Sequence, residues 1–420
     1  MRLFTVFRNM KFVRDLFYGL RLLLRNPAFL VTRRPDHLTG YWRYHRDGFT
    51  VNMKHIDFGH SLVRLPMAAR LVRALPVWML LASAIGPLTA QQLFVNAASG
   101  VDTNPGTRDQ PLRSVAEAAR RINGDTTSKS SEVIVAPGLY VLSQTALFKN
   151  SKTYTATDRL VIRAEVLPDD PAWHPQQMPT VVTAVPLVTD EAGEFGNGIQ
   201  IEVNHATVQG LRFTGGLDFY YKNPKQIRRT YPIWREGKNL DDLLVKQCVF
   251  VGDEEAMPLH VGVIANGHGL VLEHDVFYNV KNAVVFWRAE GGTSHRNAMR
   301  NCLVYGAGTS GIWTVETDGD DLDFRNNVIA NSRIVWMRER GGTRRYKAVA
   351  SVFTDNANMA AYGAGAAGAI TLTDSTFLSL QEMRLAGKVD LVMDRSERNY
   401  LHIRKGSAGS EVKAGLFTQD

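Results

Sequence analysis

The chain has 420 residues, 45% of them hydrophobic and 9% aromatic, enough to bury a large core and too apolar for wholesale disorder. Its formal charge of +8 would suit a nucleic-acid partner, but residues 1–90 carry 14 Lys+Arg against 4 Asp+Glu, leaving 35 basic and 37 acidic residues beyond them. The bulk of the chain is therefore close to neutral, which excludes a nucleic-acid footprint.

From Met67 a short basic segment leads into an apolar run, Ala74 to Ala90, broken by Pro76, Gly86 and Pro87. Such a segment reads as a secretory signal peptide over 67–90 rather than a stable membrane span, with export to the bacterial periplasm or outside as the expected fate. Cleavage after Ala90 or at Ala82-Ser83-Ala84 is compatible with the small residues there; an uncleaved anchor is the alternative. Asp15 to Phe29 resembles the opening of bacterial macrolide-exporter-like permeases, but nothing else of a permease follows. The expectation is that translation starts at Met67 and that 1–66 is an upstream segment outside the fold.

Past Gln91 the pattern is a repeat. Aligning Phe213, Phe250, Phe277, Val304, Ile329, Phe353 and Phe377 gives spacings of 37, 27, 27, 25, 24 and 24 residues. Each lies in a short run of alternating apolar and polar β-formers. A second run recurs in each period at Val261–Ala265, Val284–Arg288, Gly311–Val315 and Ile334–Arg338, followed by glycines at Gly269, Gly292, Gly319 and Gly342. A period of two dozen residues carrying two or three short strands is one coil of a parallel β-helix, which buries its inner face only by stacking on its neighbours. Leucine-rich, propeller and sandwich readings lack their spacing, period or hairpin turns. The expected fold is all-β, a right-handed parallel β-helix solenoid over 91–385 with a short capping helix, followed by a C-terminal coil or tail over 386–420.

The register makes a prediction about the two cysteines. Cys248 and Cys302 precede their aligned apolar residues by the same two positions, with Asp275 on the coil between. Two coils separate them by roughly 9–10 Å, beyond the ~7 Å Cα reach of a disulfide. Both are expected as buried free thiols, in a column continued by Asn327, Ser351 and Ser375.

The start of the repeat region supplies a second cue. Gly100-Val-Asp-Thr-Asn-Pro-Gly-Thr107 leads to Ser114-Val-Ala-Glu117, a capping-box pattern for a helix through Ile122, and then to Pro137-Gly-Leu-Tyr140. This order resembles the opening of pectate-lyase-like right-handed β-helix proteins, over about residues 93–380. The resemblance implies active sites on one outer sheet, where side chains from successive coils form a groove for a polysaccharide; the fold also hosts hydrolases, epimerases and adhesins.

Strict alternation, with Arg288 and Arg338 kept out of the core, places Phe286, Trp313 and Trp336 outward as a ladder beside those arginines. Glu290, Glu316, Asp318, Glu339 and Arg340 follow at the corner. Aromatics would stack on sugar rings and arginines would pair with uronate carboxylates. The opposite parity makes the aromatics core residues. A polysaccharide lyase would use Arg288, Arg338 or Arg340, whereas a hydrolase would use paired acids such as Glu316 with Asp318 or Glu290. Glu316, Asp318 and Asp320 offer oxygens for Ca²⁺. The loop Gly215 to Leu240, rich in aromatics and cations including Trp234 and Arg235, reads as a substrate clamp or as packing, and His268, His274 and His295 show no metal spacing. The expectation is a monomeric, secreted, carbohydrate-active protein acting on a polysaccharide, with a lyase preferred; the alternative is a non-catalytic glycan-binding β-helix.

Overall fold

The structure is a computed structural model describing residues 90–149, 152–190, 193–215, 228–252, 259–289, 292–315, 322–339, 345–363, 371–373, 378–381 and 387–418. Expectations that fall on 1–89, including the leader, lie outside the described residues. Three sheets run the length of a right-handed parallel β-helix, with ten, eight and ten strands. One coil shows the plan: Leu270–Glu273 in the first sheet, Val276–Tyr278 in the second, Asn282–Phe286 in the third. Each pairs in parallel with the same strand of the next coil.

The aligned apolar column is the register of the second sheet: Phe213, Phe250, Phe277, Val304, Ile329 and Phe353 are successive partners. Phe213 stacks on Phe250 at 5.0 Å and Phe250 on Phe277 at 4.6 Å. Phe377 lies outside the described residues. Between the first and second sheets the chain turns through left-handed residues Gln247, His274, Asn301, Asn326 and Ala350. Most are polar types, and asparagine in particular tolerates this conformation. At the corner between third and first sheets Gly269 is left-handed at φ +58°. Its partner on the next coil is Arg296, also left-handed at φ 55°, rather than Gly292 as expected; Gly319 and Gly342 lie outside the described residues.

The thiols are free and buried as predicted, and their column is a backbone-capping ladder. Cys248 N–H donates to Asp275 Oδ1 at 2.8 Å, Cys302 N–H to Asn327 Oδ1 at 2.9 Å, and Asn327 N–H to Ser351 Oγ at 3.1 Å. At the N-terminal end Asp102 accepts from the Arg113 and Ser114 N–H groups, both at 2.9 Å. Ser114 then caps helix α1 (Val115–Gly124) by accepting from Glu117 N–H at 3.1 Å. Only half of the expected box forms, because the Glu117 carboxylate turns to Arg120 and Arg121. The amphipathic helix covers the open end of the first coil with Val115, Ala118, Ala119 and Ile122. The Tyr140 hydroxyl of the Pro-Gly-x-Tyr segment lies 3.1 Å from Val95 O, tying that turn to the first strand.

The third sheet departs from simple alternation. In the coil Val261–Ala265, both Gly262 and Val263 face the core: a Cβ on Gly262 would sit 2.7 Å from the Phe277 ring. Ala283 and Val284 share the main core on the next coil, as do Val335 and Trp336 further on. The strand bends there, so residues three apart across the bend emerge on the same outer face. Tyr231 and Trp234, Val261 and Ile264, Ile334 and Met337 all join one outer apolar cluster.

Residues 387–418 run back along the outside of the second sheet. Val389, Leu391, Tyr400, Leu401 and Leu416 pack on Val249, Val276, Leu303, Val328 and Val352. Gly415 N–H donates to Asn301 O and Gln247 Nε2 to Leu416 O, both at 2.9 Å. His402 stacks on Phe417 at 4.2 Å. Burial first, then the neighbouring His274, pulls its imidazole down to about 4.

Two outcomes follow from this packing. Gly262→Val should cost about 1–3 kcal/mol in urea unfolding, since the Phe277 ring cannot retreat from a filled core. A neutral buried histidine is favoured over its cation in the fold, so its stabilisation is present above the unfolded value near 6.5 and is lost as pH falls toward about 4. Melting temperature should drop across that window, and His402→Asn should flatten the drop; an unchanged slope in the variant would contradict this assignment.

Candidate functional site

The structure separates the predicted aromatic ladder. Val284, Ile312 and Trp336 share one column, Val285, Trp313 and Met337 the next, and Phe286, Thr314 and Arg338 the third. Phe286 and Trp336 therefore face the core, where Trp336 packs on Phe324 and Tyr346 and donates from Nε1 to Thr314 Oγ1 at 3.1 Å. Only Trp313 faces outward, and it is 8% exposed. Arg338 shares the inward parity, 6% exposed, with its guanidinium 5.0 Å from the Tyr362 ring and Nη2 donating to Tyr362 Oη at 3.0 Å. That burial excludes it as a groove-facing base. Arg288 lies at the surface and pairs with Glu339 at 3.2 Å. Glu290, Glu316, Asp318, Asp320 and Arg340, with the expected Ca²⁺ oxygens among them, lie outside the described residues. Among the described residues no three His, Cys, Asp or Glu side chains gather as a metal site.

The expected clamp loop is in part a strand. Arg228–Arg235 joins the third sheet between Gly193–Glu202 and Val261–Ala265. Arg235 points into the solenoid, fully buried, with Nε donating to Asn266 O at 2.7 Å. Burial pulls it down to about 9, against the attraction of Asp241 and Asp242. It is no surface clamp. Residues 216–227 lie outside the described residues. His268 and His295 stack at 4.3 Å on adjacent coils, and burial followed by His295 lowers His268.

A cleft of about 450 Å³ opens instead on the outer face of the third sheet, toward the N-terminal coils. Its apolar wall is formed by Val185, Pro186 and Val188, ahead of the antiparallel pairing of Val188–Asp190 with the strand Gly193–Glu202. Phe195 and Trp234 contribute rings 5.8 Å apart. Arg229 braces that wall, pairing with Asp190, donating to Gly193 O at 3.1 Å and lying 5.4 Å from the Phe195 ring. Asn197, Gln200 and Glu236 supply polar groups, and no described cation lines the cleft.

Glu236 is the titratable group of the cleft. Its N–H donates to Ile201 O at 3.0 Å, which puts Glu236 beside Glu202 on the preceding coil, about 4.8 Å away at the backbone. Burial raises the Glu236 carboxyl above the usual range and the neighbouring Glu202 adds to the rise. The Trp234 indole and the Asn266 amide lean the other way, although the indole N–H lies outside hydrogen-bond geometry. Glu202 accepts from Gln200 Nε2 at 2.7 Å, and Lys149 stands in register with it on the coil before. Two carboxylates in unlike surroundings, beside an aromatic face, can divide the work of an acid and a base. Neither was singled out from the sequence. The signal was there: Ile199-Gln-Ile-Glu202 and Ile233-Trp-Arg-Glu236 each place a glutamate three residues after an inward isoleucine.

No family model and no curated protein matches the chain. Among solved structures it is similar to a GH136 lacto-N-biosidase from Eubacterium ramulus, at 11% identity and TM-score 0.44, covering 70% of this chain and 60% of that one. A rhamnogalacturonan lyase aligns at 12% identity and TM-score 0.42, covering 64% of this chain and 70% of that one. The catalytic domain of a GH87 alpha-1,3-glucanase in complex with nigerose aligns at 12% and 0.42, covering 73% and 47%. The chain thus spans about three fifths of the lacto-N-biosidase, and likenesses this distant carry nothing about activity.

A carboxyl raised in the fold stabilises at low pH, and that contribution is lost as pH rises through its folded value. Glu236→Gln keeps the neutral form throughout. The variant should match the parent in urea unfolding at pH 4 and exceed it at pH 8; equal stability at both would place Glu236 in water.

Proposed function

We propose that this chain is a glycan-active protein that hydrolyses a neutral saccharide in the cleft lined by Glu236, with Glu202 beside it on the preceding coil, exported by way of residues 67–90. The observation that carries the reading is the pair itself: a half-buried Glu236 with a raised pKa beside Glu202, under the Trp234 and Phe195 rings. Glu236 protonates the glycosidic oxygen as the bond to the anomeric carbon breaks, and Glu202 acts on the opposite side of that carbon. The two glutamates stand in register on adjacent coils, about 4.8 Å apart at the backbone. Glu202 attacks the anomeric carbon as the leaving group departs with the proton of Glu236, and water, deprotonated by Glu236, then cleaves the glycosyl–Glu202 ester. The aromatic wall stacks against the sugar ring while amides take its hydroxyls. The described lining is apolar and aromatic with Thr145, Asn197, Gln200 and Glu236 as its polar members, a set suited to a neutral sugar, and the paired glutamates favour hydrolysis over elimination.

Incubating the protein with a panel of neutral and acidic oligosaccharides, with reducing ends and unsaturated products both followed, tests this directly. Hydrolysis of a neutral member is expected, with Glu236→Gln and Glu202→Gln each lowering kcat at least about 100-fold. Unsaturated products from a uronate would establish a lyase instead, and binding without cleavage would establish a non-catalytic glycan receptor.

A further inference from the structure

A chain of side-chain amides ends inside this cleft. Gln200 Nε2 donates to Glu202 Oε1 at 2.7 Å, and Asn197 Nδ2 donates to Gln200 Oε1 at 2.9 Å. The far end, Asn197 Oδ1, is buried and has no hydrogen-bond partner, although Asn197 is only 9% exposed and lines the cleft. Asn197 and Gln200 are three residues apart and would lie on opposite faces of a straight strand. The bend at Gly198–Ile199 brings them to one face. The Asn197 backbone is itself anchored, its carbonyl accepting from Thr145 Oγ1 at 2.9 Å.

The direction of this relay is not free. An ionised carboxylate only accepts, so Gln200 must turn its NH₂ toward Glu202. Its oxygen then faces Asn197 and must receive a donor, which turns the Asn197 NH₂ toward Gln200 and leaves the oxygen of this cleft-lining side chain without a partner. A buried acceptor without a partner is costly, and a ligand that donates there removes the cost. We infer that Asn197 is a specificity-determining residue: its Oδ1, oriented through Gln200 by the hydrogen bond to Glu202, accepts a hydrogen bond from an O–H or N–H donor of the bound saccharide. The substrate half of this inference rests on the hydrolase reading; the relay does not.

The same geometry separates ligand groups by chemistry. A hydroxyl or an acetamido N–H at that point donates; a fluorine or a methyl ether only accepts and would face Asn197 Oδ1 lone pair to lone pair. Asn197→Leu removes the acceptor with little change in volume. Glu202→Gln removes the obligate acceptor that fixes the relay, so either amide orientation becomes open.

The experiment has two arms on the full chain. In the first, side-chain amide resonances of isotope-labelled protein, assigned through Asn197→Leu and Gln200→Leu, are compared in the parent, Glu202→Gln and Glu236→Gln. The Asn197 amide pair should shift in Glu202→Gln, although Asn197 does not contact residue 202, and should stay in place in Glu236→Gln. An Asn197 signal indifferent to Glu202→Gln overturns the relay. In the second, the neutral oligosaccharide cleaved best is compared with its singly deoxygenated and singly fluorinated analogues. One position should cost the parent about 10- to 100-fold in kcat/KM, and Asn197→Leu should lose discrimination at that position alone. Discrimination retained at every position by Asn197→Leu overturns the specificity role while leaving hydrolysis standing. A protein that cleaves no glycoside overturns the hydrolase reading and the substrate half together, and the amide resonances still decide the relay.

Discussion

Two consecutive side chains in several coils of the third sheet point inward, and the placement of the outer surface follows from that bend. In a regular strand the faces alternate, so Tyr231 and Trp234, or Asn197 and Gln200, would be divided between core and solvent. The bend unites them. The core accepts the extra inward residue because it is small in some coils, as Gly262 against the Phe277 ring and Ala283 beside Val284. In the first coils the united face is an open cleft with amides and a carboxyl. In later coils it is apolar, with Val285, Trp313 and Met337 in one column.

The electrostatics of the cleft grow out of stacking in the same way. Parallel register sets Glu236 directly beside Glu202, and like charges on neighbouring coils resist joint ionisation. The surroundings then distinguish them, since Glu202 takes an amide donor from Gln200 whereas Glu236 lies against Trp234. Beneath them Arg235 enters the core of the same coil. A solenoid thus converts small differences between adjacent repeats into a directed site, because each side chain has its counterpart about one strand spacing away.

Much of the architecture was legible in the sequence. The spacing of Phe213 through Phe353 is the true register of the second sheet, the Cys248–Asp275–Cys302 column is a real ladder, and Ser114 does cap the helix, though Glu117 does not close the box. Each is a local signal repeated at a fixed period. The candidate site was not legible, for a specific reason. Parity in the third sheet was argued from charge, and Arg338 is buried by stacking on Tyr362 and bonding to its hydroxyl, so the premise that an arginine must point outward failed. Strict alternation then carried the error to Phe286 and Trp336. The Glu202–Glu236 pair also sits in coils whose spacing, 37 residues between Phe213 and Phe250, is the least regular, where strand Arg228–Arg235 reads as a loop in the sequence and pairs with Gly193–Glu202 in the structure. Trp234 stands out in the sequence by its aromaticity, whereas Glu236 two residues on carries no local signal of its own and shows only against the matching Glu202 segment.

The central claim is where a sugar binds on this solenoid, and tryptophan indole resonances test it most directly. Titrating the labelled protein with the neutral oligosaccharide panel should move the Trp234 N–H signal, beside Glu236, and leave those of Trp287 and Trp313 in place. Movement of Trp287 and Trp313 with Trp234 unchanged would put recognition on the later coils and contradict the account.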